Sequence, residues 1–199
     1  MTTTYTGPAA DGRADRVAKG PAGALRQRLR GLRQAYAPHE HRPLGGYALS
    51  MTTYTGLVAG LATAVRATGR PLPERPDPAD VLLISVATHK LSRLLAKDAV
   101  TSPLRAPFTR YQEPIGHAEV AEEVRAEQGT TGHALGELLS CPFCLAMWIA
   151  TSFTGGLVLA PRVTRLAATA FTAVAVSDFL QLAYGMAKKA ADGPPDNEE

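Results

Sequence analysis

Cysteine is scarce in this chain, and its two cysteines lie close together. Among 199 residues, only Cys141 and Cys144 are cysteines, and they form the sequence Cys141-Pro-Phe-Cys144. A structural zinc site usually takes four nitrogen or sulfur ligands, so the chain cannot complete one with cysteine alone. The sequence also lacks a phosphate-binding loop, a catalytic triad and a paired-carboxylate site, and it therefore gives no reason to expect an enzyme.

Charge is absent from two long stretches. No Asp, Glu, Lys or Arg occurs between Arg42 and Arg66, or between Glu137 and Arg162. Each run is longer than the about 20 apolar residues that cross a hydrocarbon core of about 30 Å. The mean hydropathy of −0.06 resembles that of a soluble protein, but only because the charges are concentrated elsewhere. A soluble helical bundle does not account for these runs, so the sequence predicts an all-α, polytopic membrane protein.

Four candidate membrane-spanning helices can be placed along the chain. They lie at residues 47–65, 79–96, 144–159 and 166–187. The first is rich in Thr and Gly, and the second is interrupted by charged residues, so three spans are the alternative. The spans belong to a helical membrane domain at 43–187, which includes a loop at 97–137.

Polar tails flank this domain. Residues 1–42 are basic and 188–199 are polar, and their composition predicts disorder at both ends, partial in the first. Residues 1–20 contain no apolar segment, so we expect no signal peptide there.

The basic residues favour one orientation in the membrane. With the N-terminus in the cytoplasm, the inner segments 1–42, 97–137 and 188–199 carry fourteen Lys and Arg residues, and the outer loops carry five. Lys and Arg accumulate on the cytoplasmic side of membrane proteins. The sequence therefore predicts a multi-pass protein of the cell inner (cytoplasmic) membrane, with both termini inside.

The segment 22–36 has the pattern of an amphipathic helix. Leu25, Leu29, Leu32 and Tyr36 recur at helical spacing, and arginines lie between them. Such a helix binds the surface of an anionic inner leaflet through apolar burial and charge. The isoelectric point near 9.0 would also permit nucleic-acid binding. No nucleic-acid motif accompanies it, so we expect the lipid bilayer as partner and no nucleic acid.

Four interpretations of the dithiol remain open, of which three need no metal. It could exchange thiols, although glutaredoxin-like motifs follow a β-strand. It could be a regulatory pair that oxidises reversibly, since cytoplasmic cysteines are normally reduced. It could also be structural, with Ser140 as the N-cap of the following helix and Pro142 in its first turn.

The fourth interpretation is a metal site completed by other residues. The candidate ligands are Cys141, Cys144, His133 and His117, with His39, His41 or a second subunit as further sources. Zinc or iron suits thiolate and imidazole ligands. The sequence predicts no cofactor by itself, so a metal here is a hypothesis.

The segment 79–96 carries a polar face. Ser85, Thr88, His89, Ser92 and Arg93 follow the spacing of one side of a helix. Such a face on a spanning helix should turn toward protein or water rather than lipid. Asp178 in the last span is the expected partner, and we predict an ion pair between it and Arg93 or His89.

The loop at 97–137 contains an acidic segment at 118–128. Its glutamates include Glu119, Glu122 and Glu123. We expect this segment to form a solvated helix, and the glutamates to cover its surface rather than act as acid–base catalysts.

Three blocks of sequence carry a family resemblance. They are Ala87-Thr-His-Lys-Leu-Ser-Arg-Leu-Leu-Ala-Lys-Asp98, Pro103-Leu-Arg-Ala-Pro-Phe-Thr-Arg110 and Gly136-Glu-Leu-Leu-Ser-Cys-Pro-Phe-Cys-Leu-Ala-Met-Trp148. In this order they resemble a bacterial membrane family known as domain of unknown function 1360, over roughly residues 80–187. The resemblance implies an integral membrane protein and implies no activity, cofactor or catalytic residue.

Two classes of function follow. The favoured one is a non-enzymatic membrane scaffold or accessory subunit that meets a cytoplasmic partner or a second copy of itself. The alternative is a protein that depends on its cytoplasm-facing dithiol, either as a redox sensor or as a metal-binding subunit.

Overall fold

The computed structural model describes residues 21–38, 42–125 and 129–192. Most of them are helical, and the chain divides into two compact units, residues 1–44 and 45–199. The helices are α1 (Pro21–Tyr36), α2 (Leu44–Thr68), α3 (Pro78–Lys97), α4 (Ser102–Arg105), α5 (Thr130–Ser140), α6 (Pro142–Leu159) and α7 (Pro161–Asp192). The strands are β1 (Thr109–Pro114) and β2 (Val120–Val124), and a 3₁₀ turn at Ala99–Thr101 follows α3.

Helix α1 belongs to the first unit and covers the basic amphipathic segment. The apolar side chains Leu25, Leu29, Leu32 and Tyr36 are all at least 48% exposed. Their exposure leaves an apolar row available along this helix.

Three helices are long and apolar enough to cross a membrane, namely α2, α6 and α7. This confirms the predicted all-α, polytopic class, with three candidate spans by length and composition. The fourth expected span, 79–96, does form helix α3 with 20 residues. Helix α3 is not among the three because Asp80, Lys90, Arg93 and Lys97 make it too highly charged.

Contacts between side chains give the relative directions of the long helices. Three contacts join α3 to α7. Arg165 donates a hydrogen bond to Asp80, Thr172 donates one to the Leu83 carbonyl, and Lys90 forms an ion pair with Asp178. Both partners advance in sequence, so the two helices run in the same direction. Helices α2 and α6 also run in one direction, because Tyr54 contacts Trp148 and Thr151, and Leu61 packs on Gly155.

Helices α6 and α7 form a hairpin. They are separated by Ala160 alone, and Gly156 on one helix faces Thr164 on the other. Because α7 reverses the direction of α6, the long helices alternate along the chain. The starts of α2 and α6 and the ends of α3 and α7 therefore share one end of the bundle.

The charged helix α3 lies between two of the three helices that are apolar enough to span a membrane. Helix α3 packs against both α6 and α7, and its buried residues are the small side chains Ala87, Thr88, Ser92 and Ala96. They meet a cluster that includes Leu145, Ile149, Phe153 and Ala168. Of the expected polar face, Thr88 and Ser92 are turned inward, while Ser85 and His89 are exposed. Small side chains permit this close packing of helices.

Residues 98–125 and 129–141 form a folded cap at the shared end of the bundle. Strands β1 and β2 pair antiparallel, from Thr109 opposite Val124 to Pro114 opposite Val120. The helix expected over 118–128 is wrong at 120–124, which are strand residues. The physical reason is an alternation of environment along β2, in which Val120 and Glu122 point to the interior and Glu123 to solvent.

The start of α2 is fastened to the cap by a close helix contact. Gly46 is buried, and a Cβ atom there would overlap the Thr130 carbonyl and the Ala134 side chain of α5. The Tyr47 hydroxyl of α2 donates a hydrogen bond of 2.5 Å to Glu137 of α5. Glycine is therefore required where α2 crosses α5.

We predict that Gly46→Ala lowers the free energy of unfolding by about 1–3 kcal/mol, the usual range for forcing extra volume into a packed contact. Thermal unfolding of the detergent-purified protein measures the change. Gly56→Ala is the matched control, because it lies in the same helix with no atom within 4 Å of the added Cβ. Equal effects of the two substitutions would contradict the packing role of Gly46.

Candidate functional site

The dithiol lies at the break between α5 and α6. Cys141 is the N-cap of α6, and its sulfur accepts a hydrogen bond of 3.2 Å from the Cys144 amide. The two Sγ atoms are 2.6 Å apart, and the Cys144 side chain is exposed. Ser140, the expected N-cap, instead bonds back to the Gly136 carbonyl as the last residue of α5. The cap is therefore one residue later than predicted, with Pro142 in the first turn as expected.

The expected histidine ligands have other surroundings. His133 lies 3.5 Å from Glu137, one turn along α5, and His117 lines a cleft beside α3 and α7. Among the residues that the structure describes, no three His, Cys, Asp or Glu side chains are grouped to hold one metal ion. His39 and His41 lie outside the described residues. A metal at Cys141 and Cys144 would therefore need ligands from elsewhere.

The ion pairs on α3 differ from those expected. Asp178 lies 2.8 Å from Lys90, which also lies 3.7 Å from Asp98. Arg93 binds the carboxylate of Glu119 with two nitrogens, at 2.6–3.0 Å. His89 stacks on the Phe179 ring, with a centroid distance of 6.2 Å. Asp178 therefore pairs with Lys90 and not with the predicted Arg93 or His89, because Arg93 binds Glu119 of the cap.

A cleft of about 980 Å³ lies where these groups meet. It is bounded by the second half of α3, the second half of α7 and the residues 116–119 that join the two strands. Charged groups on α3 and in the cap form one part of its lining, while Phe179, Leu182 and Met186 of α7 form an apolar wall. The cleft is therefore amphipathic, and it is the candidate ligand site of the described chain.

A buried ion pair holds the cap in place beside this cleft. Arg105 is 0% exposed and Glu122 is 6% exposed, and the Arg105 guanidinium binds both carboxylate oxygens at 2.8–3.0 Å. Its other hydrogen bonds go to the carbonyls of Leu95 and Asp98 and to the hydroxyls of Thr101 and Ser102. One side chain thus joins the end of α3, the 3₁₀ turn, α4 and β2.

The charge state of Glu122 follows from this arrangement. Burial raises the pKa of the carboxyl, but hydrogen bonds from Arg105, Thr109 and Ser102 outweigh it, so the pKa is lowered below 4.5. Glu122 is therefore an anion at neutral pH. A buried carboxylate with full hydrogen bonding to a guanidinium is typical of a structural ion pair rather than of a proton donor.

Comparison with known proteins identifies the family. A family model described as "Protein of unknown function (DUF1360)" matches residues 83–184, about half of the chain. The chain belongs to this family. The matched region contains the dithiol, the Arg105–Glu122 pair and most of the cleft lining, including Lys90 and Asp178.

One curated relative has a name that refers to sporulation. The chain is 37% identical over 71 residues to the sporulation protein YjcA of Bacillus subtilis (strain 168). The match covers 35% of this chain and 60% of that protein, so the chain spans less than two thirds of its length. No solved structure matches the chain.

Sequence reasoning missed the role of Arg105. Its partner Glu122 is 17 residues away, with a strand between them, so no helical or strand spacing connects the two. A weak signal was available, because Arg105 is the single charge in the segment Pro103-Leu-Arg-Ala-Pro-Phe108. A cation amid apolar and proline residues is a candidate for burial against a carboxylate.

We predict that Arg105→Gln lowers the free energy of unfolding by about 3–5 kcal/mol, because it leaves the Glu122 carboxylate buried without its counter-charge. Unfolding of the detergent-purified protein by heat or denaturant measures this loss. Arg75→Gln is the control, since Arg75 is exposed in the turn between α2 and α3.

A double-mutant cycle identifies the cause of that loss. If the ion pair is responsible, the double variant Arg105→Gln, Glu122→Gln should lose less stability than the sum of the two single variants. Strictly additive losses would rule out a direct energetic coupling between the two residues.

Proposed function

We propose that this chain is a non-enzymatic scaffold or accessory subunit of the cell inner membrane, with both termini in the cytoplasm. Its long helices hold the cap at the cytoplasmic face, where the cap binds a protein partner or a second copy of the chain. The observation that carries the proposal is the rigid attachment of the cap to the end of α3 by buried Arg105.

The alternating helix directions support four membrane crossings. Helix α3 runs beside α7 and in the same direction, from Asp80 beside Arg165 to Lys90 beside Asp178. Its 20 residues make it about 30 Å long, which matches the hydrocarbon thickness. If α7 spans, then α3 spans with it, and its charges lie near the two ends or face the protein.

The cap has the surface of a docking site. Val100, Leu104, Tyr111 and Ile115 are 50–79% exposed, although the cap is held by buried hydrogen bonds. Exposed apolar side chains on a rigid element are typical of protein interaction sites. The excess of Lys and Arg in the segments at this end supports its location in the cytoplasm.

Helix α1 adds a second membrane contact to this proposal. Its exposed leucines and the arginines of the same segment would bind anionic lipids of the inner leaflet. The relative's name associates that protein with sporulation, and the same process is a candidate for this chain.

Site-specific photo-crosslinking in living cells tests the docking role. We expect a photoreactive residue at Tyr111 or Val100 to give discrete crosslinked products. A probe at Leu72, which is 67% exposed in the turn at the opposite end of the bundle, is the control and should give none of them. Products of equal yield from all three positions, or none from the cap, would contradict a docking site on the cap.

The dithiol supports a second candidate function, a redox sensor. The observation in its favour is the 2.6 Å separation of two sulfur atoms, one of them exposed. Hydrogen peroxide would oxidise one thiol to a sulfenic acid and water, and the second thiol would then displace water to form the disulfide. Two electrons leave the cysteine pair, and the peroxide is reduced to two waters.

Thiol counting by mass spectrometry tests this second function. Peroxide treatment of the detergent-purified protein should remove both alkylatable thiols, and dithiothreitol should restore them. Cys141→Ser should abolish the disulfide and leave a singly reactive Cys144. Two free thiols after peroxide treatment would exclude the sensor. Zinc or iron at one atom per two chains would instead favour a metal shared between subunits.

A further inference from the structure

The cleft between α3, α7 and the turn 116–119 contains hydrogen-bond donors that have no partner among the described residues. We propose that it binds the phosphodiester headgroup of an anionic phospholipid, with the acyl chains along the apolar wall of α7. This inference rests on the proposed membrane location of the long helices.

Hydrogen-bonding capacity in the cleft favours an anion. Each of the three carboxylates in its lining has a basic partner, since Asp178 and Asp98 share Lys90, and Glu119 binds Arg93. By contrast, Lys189 and His117 of the lining have no hydrogen-bond partner among the described residues. A cation would have to compete with Lys90 or Arg93 for these carboxylates, whereas an anion meets donors that have no partner. Phosphate is a good acceptor for such donors.

The apolar part of the lining favours an amphiphile over a free phosphate. Phe179, Leu182 and Met186 lie on α7 at spacings of three and four residues, so they form one stripe. They are 52–68% exposed, and the stripe leads from the cleft along a helix that is apolar enough to span a membrane. A soluble anion would leave this stripe uncovered, while lipid acyl chains would cover it.

The length of α7 places the cleft at headgroup depth. Its 32 residues make it about 48 Å long, about 18 Å more than the hydrocarbon core requires. Measured along the axis from Arg165, Asp178 lies about 20 Å away and Lys189 about 36 Å away. The cleft thus extends across the boundary at about 30 Å, with Phe179 and Leu182 inside it, Met186 close to it and Lys189 outside. A headgroup in the adjacent leaflet has the same depth.

Native mass spectrometry of the full-length protein in detergent tests the proposal, with phosphatidylglycerol and phosphatidylcholine as the probes. We expect phosphatidylglycerol to bind at least about fivefold more tightly. Lys189→Gln should weaken its binding about fivefold, the effect of one basic residue near an anionic lipid. Lys188→Gln removes the same charge from the adjacent exposed position outside the cleft, and should leave binding within about twofold.

Further measurements separate the sources of the anion. Inorganic phosphate and glycerophosphoglycerol, which lack acyl chains, should not compete with the lipid at millimolar concentration. Competition by either would overturn the lipid assignment in favour of a soluble phosphate. Equal binding of the two lipids, or equal losses for Lys189→Gln and Lys188→Gln, would overturn the proposal itself.

Failure of the membrane proposal would look different from failure of the lipid proposal. A protein that leaves the membrane fraction in carbonate without detergent would contradict its integral location. A protein that needs detergent but binds both lipids equally would retain that location and lose only the headgroup site.

Discussion

The fold of the cap depends on one buried interaction, the ion pair of Arg105 with Glu122. Removing two charges from water costs several kcal/mol per ion, and the pair is tolerable only when its remaining hydrogen bonds are also satisfied. Arg105 meets this condition through two carbonyls and two hydroxyls of the segment that ends α3. The carbonyls and hydroxyls that bind the Arg105 guanidinium therefore also hold the loop after α3 in place. A segment of short elements with little apolar core becomes a fixed surface rather than a flexible linker.

A similar constraint, that charged side chains need partners, explains how the charged helix α3 lies between apolar helices. Helix α3 presents small side chains to α6 and α7 and keeps its charges at the periphery, where three of the four have a partner: Asp80 with Arg165, Lys90 with Asp178, Arg93 with Glu119. These pairs occur at both ends of the shared path with α7 and at the contact with the cap. They fix the register of α3 against α7 and against the cap, while the small side chains allow α3 to pack closely on α6 and α7.

The sequence predicts the helices well because their causes are local. Uncharged runs, Pro142 at a helix start and the apolar spacing of 22–36 are each contained in one segment. The strand at 120–124 could not be predicted in this way, since its glutamates favour a solvated helix until Arg105 binds Glu122 from a distance. The choice of Lys90 rather than Arg93 for Asp178 has a similar origin. Both residues lie near the polar face of α3, and the competition for Arg93 by Glu119 depends on where the β-hairpin folds.

The proposed lipid site and the proposed docking surface share a structural element. Residues 116–119 line the cleft, while Tyr111 on β1 and Ile115 directly after that strand belong to the exposed apolar surface of the cap. Glu119 connects both to α3 through Arg93. A headgroup that holds Lys189 and His117 in one position restricts the turn, and a partner on the strand restricts it from the other side. Binding free energies at two such sites are reciprocal, so any effect of lipid on partner affinity requires an equal effect of the partner on lipid affinity. The scaffold would then bind its partner according to the composition of the surrounding leaflet.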